Sequence, residues 1–354
     1  MREGKFGRMA KLWVQKALPL LLATGLGAAG GWVFWSLKLP LPWMLGALFA
    51  TMVAAVAGLP VRGPTRIRGA VVAVIGVLLG AGFSPDLLAQ AGAWGVSLLG
   101  LVLYLGLSLL LLIPWFRRIG GFDGRTAYFA AMPGGLSEMI ELADGAGADV
   151  PRVILAQSLR IVTTIAVIAI WFRWIEGITV GQSAGRAGFA DLAAVDLALL
   201  AAAAVIGSWI GLALKLPAPT LLGPMILSAA LHLTEVTTSA PPSELVILAQ
   251  IILGTVLGCR FAGIRARALV PAMALSLGAT LIMLALAFGF ALGLQSLTGQ
   301  SADQLLLAYA PGGLTEMSLV AIALQAEVAF VAAHHVLRIL VVIVAAPLIF
   351  KVLR

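Results

Sequence analysis

The chain is dominated by apolar stretches long enough to cross a membrane. A transmembrane helix needs ~20 mostly apolar residues, and the sequence contains about ten such stretches. Only 11% of the 354 residues are charged and 61% are hydrophobic, whereas a soluble domain carries roughly 25% charged residues. Backbone inside a bilayer must satisfy its own hydrogen bonds, as helices do. The sequence therefore predicts an all-α polytopic membrane protein surrounded by the lipid bilayer.

The basic residues lie in short clusters between the apolar stretches. Their excess gives a net charge of +8, but this arrangement is typical of membrane loops and not of a nucleic-acid-binding surface. We therefore expect no direct nucleic-acid binding. The single cysteine, Cys259, excludes an internal disulfide framework.

The second half of the chain repeats the first at a displacement of 177 or 178 residues. Shared hydrophobicity does not explain the blocks, because Pro, Gly, Glu and Arg match within them. The matching blocks are LKLPLP at 37–42 with LKLPAP at 214–219, GVLLG at 76–80 with GTVLG at 254–258, PGGLSEM at 133–139 with PGGLTEM at 311–317, and LRI at 159–161 with LRI at 337–339.

The repeat divides the chain into a basic N-terminal segment (1–16), a first membrane repeat (17–175), a linker (176–190) and a second membrane repeat (191–354). Each Pro-Gly-Gly segment, near 127–147 and 305–325, is predicted to be a re-entrant pair of half-helices instead of a full span. The predicted spans are 17–37, 42–59, 69–83, 93–115 and 152–172 in repeat one, and 192–213, 219–234, 243–259, 270–294 and 328–350 in repeat two.

The loop charges predict that the two repeats cross the membrane in opposite directions. Repeat one has basic clusters at 62–68 and 117–125, after its second and fourth spans, whereas the corresponding loops 235–244 and 294–304 carry no Lys or Arg. Repeat two has its cluster at 260–267, after its third span. Matching helices joined by oppositely charged loops indicate inverted topology. In the bacterial cytoplasmic membrane this topology places both termini and 18 of the 23 Lys and Arg residues inside, and three outside.

The two Pro-Gly-Gly turns are the first candidates for a substrate site. The half-helix that follows each turn presents free N–H groups and the positive end of its dipole. Broken helices paired across inverted repeats line the substrate sites of many secondary transporters. The glutamates in their first turns could cap the backbone behind them or contact a substrate, cation or proton. The predicted substrate-binding residues in these segments are Pro133, Gly134, Gly135, Ser137 and Glu138, with Pro311, Gly312, Gly313, Thr315 and Glu316.

Arg160 and Arg338 are expected to lie well inside the bilayer. Arg160 follows Arg152 by eight residues, which is ~12 Å along a helix, and Arg338 occupies the matching position. A charge at that depth costs about 2.5–3.5 kcal/mol and needs a polar cavity or partner. Two compatible roles remain open: an ion pair with Glu138 or Glu316, and bidentate binding of an anionic ligand.

The residue three positions before each of these arginines lies on the same helical face. It is Gln157 before Arg160 and His335 before Arg338, with His334 also one turn from Arg338. A histidine at membrane depth can relay protons or bind substrate, or it can be a hydrogen-bonded packing residue. Because the halves differ here, any coupling chemistry is expected to belong more to the second half.

At these motifs the sequence resembles the bacterial membrane family called AbrB, whose members are also called ammonia monooxygenases or AbrB family transcriptional regulators. The resemblance covers nearly the whole chain, including the duplicated AbrB domain and both Pro-Gly-Gly-Leu-(Ser/Thr)-Glu-Met blocks. These names imply regulation of gene expression, or ammonia oxidation. The longest polar loop, near 172–191, is too short for a soluble DNA-binding module, so regulation would be indirect. Three histidines do not predict a complete copper or iron site, and we expect no enzymatic activity and no cofactor.

Three functions compete. The residues favour a secondary transporter of a small anionic organic solute, with a proton or sodium ion as the coupling ion. The second is a membrane-embedded sensor or regulator that binds a ligand without moving it. The third is a metal-dependent oxidase to which the motif glutamates contribute ligands. The solute and the oligomeric state are not determined by the sequence, and a homodimer stays open.

Overall fold

The described part of the chain is all α-helical, with 14 α-helices and no strand. The computed structural model describes residues 3–85, 91–175, 177, 187–324 and 326–352, without the side chains of 3–16, 91, 93, 137 and 352. Most of the predicted linker 176–190 and the side chain of Ser137 therefore lie outside the described residues. The helices are α1 Glu3–Ser36, α2 Pro42–Val56, α3 Arg68–Gly80, α4 Gly95–Arg118, α5 Gly124–Ala131, α6 Leu136–Gly145, α7 Val150–Trp174, α8 Ala194–Ala213, α9 Pro219–Leu233, α10 Ser243–Gly258, α11 Ala266–Thr298, α12 Ala302–Tyr309, α13 Leu314–Ala323 and α14 Val328–Val352.

Helices α1–α7 correspond one to one with α8–α14, and a helix occupies each of the ten predicted spans. Seven segments are long and apolar enough to cross a membrane. They are Ala17–Ser36, Gly95–Arg118, Val150–Trp174, Ala194–Ala213, Ser243–Phe261, Ala266–Thr298 and Val328–Lys351. The other three, α2, α3 and α9, have 15, 13 and 15 residues. At 1.5 Å per residue they measure roughly 20 Å, less than the ~30 Å of a hydrocarbon core.

The first helix extends on its N-terminal side beyond the predicted membrane span. It begins at Glu3 and continues through residues 3–16 of the basic segment into the predicted span, which is found at Ala17–Ser36. Lys, Arg, Leu, Met and Ala are all good helix formers. A change from basic to apolar residues along a helix changes whether water or lipid surrounds it, but it does not end the helix.

The repeated LKLPxP block has the same backbone conformation in both halves. Lys38 and Leu41 have φ of 54° and 45°, and Lys215 and Ala218 have φ of 52° and 48°. Residues other than glycine rarely adopt this left-handed region. In each half the second of these residues is the N-cap of the next helix, whose first residue is proline. The duplication is thus one of backbone geometry as well as sequence.

The halves are interlocked by reciprocal helix packing. α2 packs on α1 and on α10 of the other half, and α9 packs on α8 and on α3. Glycines allow these close approaches: a Cβ on Gly76 would lie 2.5 Å from the Leu221 carbonyl oxygen, and one on Gly254 would lie 2.3 Å from that of Met44. Because Leu221 corresponds to Met44, each half makes the same contact with the other.

Candidate functional site

Each Pro-Gly-Gly segment consists of two short helices separated by a four-residue turn. α5 and α6 flank residues 132–135, and α12 and α13 flank residues 310–313. The first helix of each pair has a side-chain N-cap: Asp123 accepts from the backbone of Arg125 and Thr126, and Ser301 accepts from that of Gln304. The hydrogen bond from the Thr126 hydroxyl, with those backbone bonds, lowers the pKa of Asp123 below its ordinary value. The carboxylate therefore stays ionised as a cap.

Two arginines from the long helices α7 and α14 bind the carbonyl oxygens of these turns. Arg160 donates from Nη1 to Met132 O at 3.0 Å and from Nη2 to Gly134 O at 3.4 Å. Arg338 makes the matching bonds, to Ala310 O at 2.7 Å and to Gly312 O at 2.5 Å. A helix end leaves carbonyls without partners, and a cation there also suits the dipole. Each guanidinium thus holds the turn after the first half-helix.

Gln157 and His335 occupy the same place beside these arginines. The Gln157 amide donates to Phe129 O at 2.7 Å and to Met132 O at 2.8 Å. His335 Nε2 lies 3.0 Å from Leu307 O, the counterpart of Phe129 O. His334 points elsewhere: its Nε2 lies 3.0 Å from Ser97 Oγ. Of the two adjacent histidines, only His335 is hydrogen-bonded to the broken helix, whereas the His334 ring packs near that of Tyr309, at 6.0 Å between centroids.

The two guanidiniums are both buried in the interior of the protein. Arg160 and Arg338 are only 5% and 3% exposed, and Arg160 interacts electrostatically with Arg338. Tyr104 of α4, which is completely buried, interacts with both. Within the described residues, neither guanidinium has a carboxylate within 4.0 Å. Two like charges therefore share a buried region without a bound counter-charge.

Four polar atoms of this region have no hydrogen-bond partner. They are Arg160 Nε, Arg338 Nε, Gln157 Oε1 and His335 Nδ1, all fully buried. Buried polar groups are nearly always hydrogen-bonded, so each such atom calls for an explanation. A cluster that offers two guanidinium N–H donors and further polar atoms is suited to an anion that also carries a hydrogen-bonding group.

Glu138 and Glu316 fold back over the glycine that precedes their helix. Glu138 Oε2 lies 2.1 Å from where a Cβ on Gly135 would sit, and Glu316 Oε2 lies 2.0 Å from the same point on Gly313. Both carboxylates therefore lie close to their own helix start, and neither is within 4.0 Å of Arg160 or Arg338. Glu316 also accepts a hydrogen bond of 3.0 Å from Thr315 Oγ1. It still interacts electrostatically with Arg338, an interaction that Glu138 does not make with Arg160.

Sequence reasoning missed Tyr104 and one cluster of arginines. Tyr104 is the one tyrosine of a Leu-rich apolar stretch, and its hydroxyl group was the only sign in the sequence of a polar role for this residue. The cluster forms a cleft of about 520 Å³, which we call the basic cleft. It is lined by Arg62, Gly63, Thr65, Arg68, Cys259 and Arg260. Both basic loops are evident in the sequence, but the sequence does not show that they come together in the fold.

The three histidines form separate hydrogen bonds. His232 contacts Ser228 O and Ser239 O, at 2.8 and 3.0 Å, far from the other two in sequence. Among the described residues, no three His, Cys, Asp or Glu side chains are grouped so as to hold a metal ion.

Seven apolar helices of spanning length, a helical fold and a buried polar centre are the features of an α-helical membrane protein. The chain belongs to the AbrB family: the family model described as "Transition state regulatory protein AbrB" matches residues 43–354. The Escherichia coli (strain K12) protein named "Putative regulator AbrB" is 26% identical over 339 residues, covering 94% of each chain. The Bacillus subtilis (strain 168) protein named "Uncharacterized protein YhjN" is 26% identical over 359 residues, covering 93% of this chain and 91% of the relative. No solved structure matches.

Proposed function

We propose that the protein is a secondary transporter of a small organic anion, bound near the membrane midplane between two inverted repeats, residues 17–175 and 191–354. It performs no enzymatic step and needs no cofactor; a proton or sodium gradient drives it in the bacterial cytoplasmic membrane. The observation that carries the proposal is the pair of buried guanidiniums of Arg160 and Arg338, which interact electrostatically and have no carboxylate within 4.0 Å among the described residues.

The charge of these arginines is not needed to satisfy the turns that they hold. Gln157 satisfies two carbonyls at the same helix end with a neutral amide. A buried guanidinium costs about 2.5–3.5 kcal/mol even on the mildest membrane scale, so two of them cost about 5–7 kcal/mol. An anionic ligand that binds between the two arginines offsets the cost of burying their charges. A neutral amide in place of each arginine would avoid that cost altogether. The retained charge therefore favours an anion as the natural ligand.

The basic cleft supports the inverted arrangement of the repeats. Arg62 lies in the loop between α2 and α3 of the first half and Arg68 begins α3, whereas Arg260 follows the end of α10 in the second half. In parallel repeats these two positions would lie at opposite ends of the bundle. Their convergence, with the positive-inside rule, favours a cytoplasmic cleft and opposed repeats.

The lengths of the short helices support the re-entrant arrangement. α5 and α12 have 8 residues each, and α6 and α13 have 10. At 1.5 Å per residue they extend roughly 12–15 Å, half of a ~30 Å hydrocarbon core. A pair of such helices enters, turns at the midplane and leaves on the same side. Each Pro-Gly-Gly turn then lies beside the arginine that binds it.

Uptake into proteoliposomes tests the proposal directly. The purified full chain is reconstituted, a proton or sodium gradient is imposed, and a panel of radiolabelled small carboxylates and sulfonates is added. We expect accumulation of at least one of them above protein-free vesicles, abolished when the gradient is dissipated. If no carboxylate or sulfonate of the panel enters under either gradient, transport of this class is refuted.

The names of the family and of its Escherichia coli relative favour a second function, regulation of gene expression. In that case the same midplane site senses a ligand and a cytosolic partner binds the basic loops. A deletion strain distinguishes the two: altered transcription with unchanged solute flux favours the sensor, and lost solute flux favours the transporter.

A further inference from the structure

The basic cleft is lined by other residues than those that bind the broken-helix turns, and it is strongly cationic. Arg62 and Arg68 are exposed, whereas Arg260 is half-buried. Arg68 and Arg260 interact electrostatically as like charges. Among the described residues, none of the three arginines has a carboxylate within 4.0 Å. Like charges held together without a counter-ion leave a strong positive potential in a concave surface, which concentrates anions.

The backbone around the cleft is held in place. The Arg62 N–H donates to Pro19 O of α1 at 3.1 Å. Gly63 packs so tightly on α10 that a Cβ would lie 3.1 Å from Val256 Cα. The guanidiniums therefore project from a fixed frame, so less order has to be imposed when a ligand binds.

The cleft is not a by-product of the duplication. The positions that correspond to Arg62, Thr65 and Arg68 fall within 239–246, and the counterpart of Arg260 is Gly82. None of these counterparts is Lys or Arg. The cationic cluster is therefore specific to one end of the molecule.

We propose that the basic cleft is a second anion-binding site, which takes a carboxylate- or phosphate-bearing molecule through Arg62, Arg68 and Arg260. Guanidinium forks match such oxyanions bidentately, and the Thr65 hydroxyl supplies a further donor. The cleft volume of about 520 Å³ is in the usual range for small-molecule sites, roughly 300–1,000 Å³. The oxyanion can belong to a free solute or to an anionic lipid headgroup. This site does not depend on whether the protein transports.

Glu316 links this site to the midplane. It interacts electrostatically with Arg260 as well as with Arg338, without an ion pair within 4.0 Å to either, so its negative charge lowers the positive potential at both. Neutralising it should strengthen anion binding in the cleft. Glu316→Gln is therefore expected to bind the anion more tightly than the parent protein.

Binding to the full-length protein tests the proposal. Inorganic phosphate and citrate are titrated calorimetrically into protein in lipid-free detergent. Nanodiscs of phosphatidylcholine alone and with phosphatidylglycerol are compared for retention of the anionic lipid. We expect Arg62→Gln/Arg260→Gln to weaken binding about tenfold or more. Arg62→Lys/Arg260→Lys, which keeps both charges, should retain much of it.

Arg117→Gln/Arg118→Gln is the matched control, because it removes two charges from a different cleft, lined by Arg117, Arg118 and Phe122. Phosphate or citrate binding that depends on the cleft arginines identifies a free anion, and selective retention of phosphatidylglycerol identifies a lipid headgroup. The proposal is overturned if the parent binds neither probe nor lipid, or if the control loses binding equally. It is also overturned if binding disappears in Arg160→Gln/Arg338→Gln but persists in the cleft variant.

Discussion

Arg160→Gln and Arg338→Gln are each expected to reduce the initial rate of anion uptake by about 30-fold or more, since truncating one partner of a buried charge pair costs roughly 2–5 kcal/mol. Glutamine can still donate to a carbonyl of the turn, as Gln157 does. The variant therefore removes the charge and spares part of the structural role. The measurement is proteoliposome uptake of the solute identified with the parent protein.

The controls for this prediction lie on the same two helices. Arg173 is near the end of α7, and Lys351 is exposed near the end of α14. Arg173→Gln and Lys351→Gln should transport like the parent. Arg338→Lys keeps the charge but cannot bind Ala310 O and Gly312 O as a fork, and it should show intermediate uptake. Monodisperse Arg160→Gln protein with uptake comparable to the parent would contradict the role of the charge.

Gly223→Ala and Gly46→Ala are expected to destabilise the fold by about 1–3 kcal/mol or more, as overpacking does. A Cβ on Gly223 would lie 1.9 Å from Gly207 O, and one on Gly46 would lie 2.3 Å from Gly30 O. Both obstacles are backbone atoms of a neighbouring helix, so the helices must separate. Close approach through small residues is what holds membrane helices together.

Thermal unfolding in detergent measures this effect. Gly25→Ala is the matched control, because it lies on α1 beside Gly30 and a Cβ there meets nothing within 4 Å. We expect Gly25→Ala to unfold with the parent and Gly223→Ala to unfold several degrees earlier. Equal unfolding midpoints for Gly25→Ala and Gly223→Ala would refute the close packing of α8 on α9.

Sequence alone predicted the position of every long helix and of both breaks. Apolar length marks a span, and Pro-Gly-Gly marks an interruption, so both signals are local. The predicted first span, 17–37, agrees with the apolar segment Ala17–Ser36, although α1 itself begins earlier, at Glu3, because composition marks where the surroundings of a helix change and not where the helix ends.

The partners of the site residues could not be predicted in this way. Helical spacing placed Gln157 beside Arg160, and the structure agrees. The expected depth of Arg160 in the membrane showed only that its guanidinium needs a polar partner. The sequence motifs offered Glu138 or Glu316 as that partner. The structure instead gives Arg160 two carbonyl oxygens of the broken helix. Backbone carbonyls are present at every position, so no sequence pattern distinguishes the ones that a helix break exposes.

The central claim is that the two halves cross the membrane in opposite directions and so bring both Pro-Gly-Gly turns to one site. Single cysteines at Ala240 and Arg265, introduced after Cys259→Ser, test it with a membrane-impermeant maleimide in intact and permeabilised cells. We predict that Ala240→Cys is labelled from outside the cell and Arg265→Cys only from the cytoplasm. Labelling of both positions from the same side would contradict the inverted repeats and the midplane site built on them.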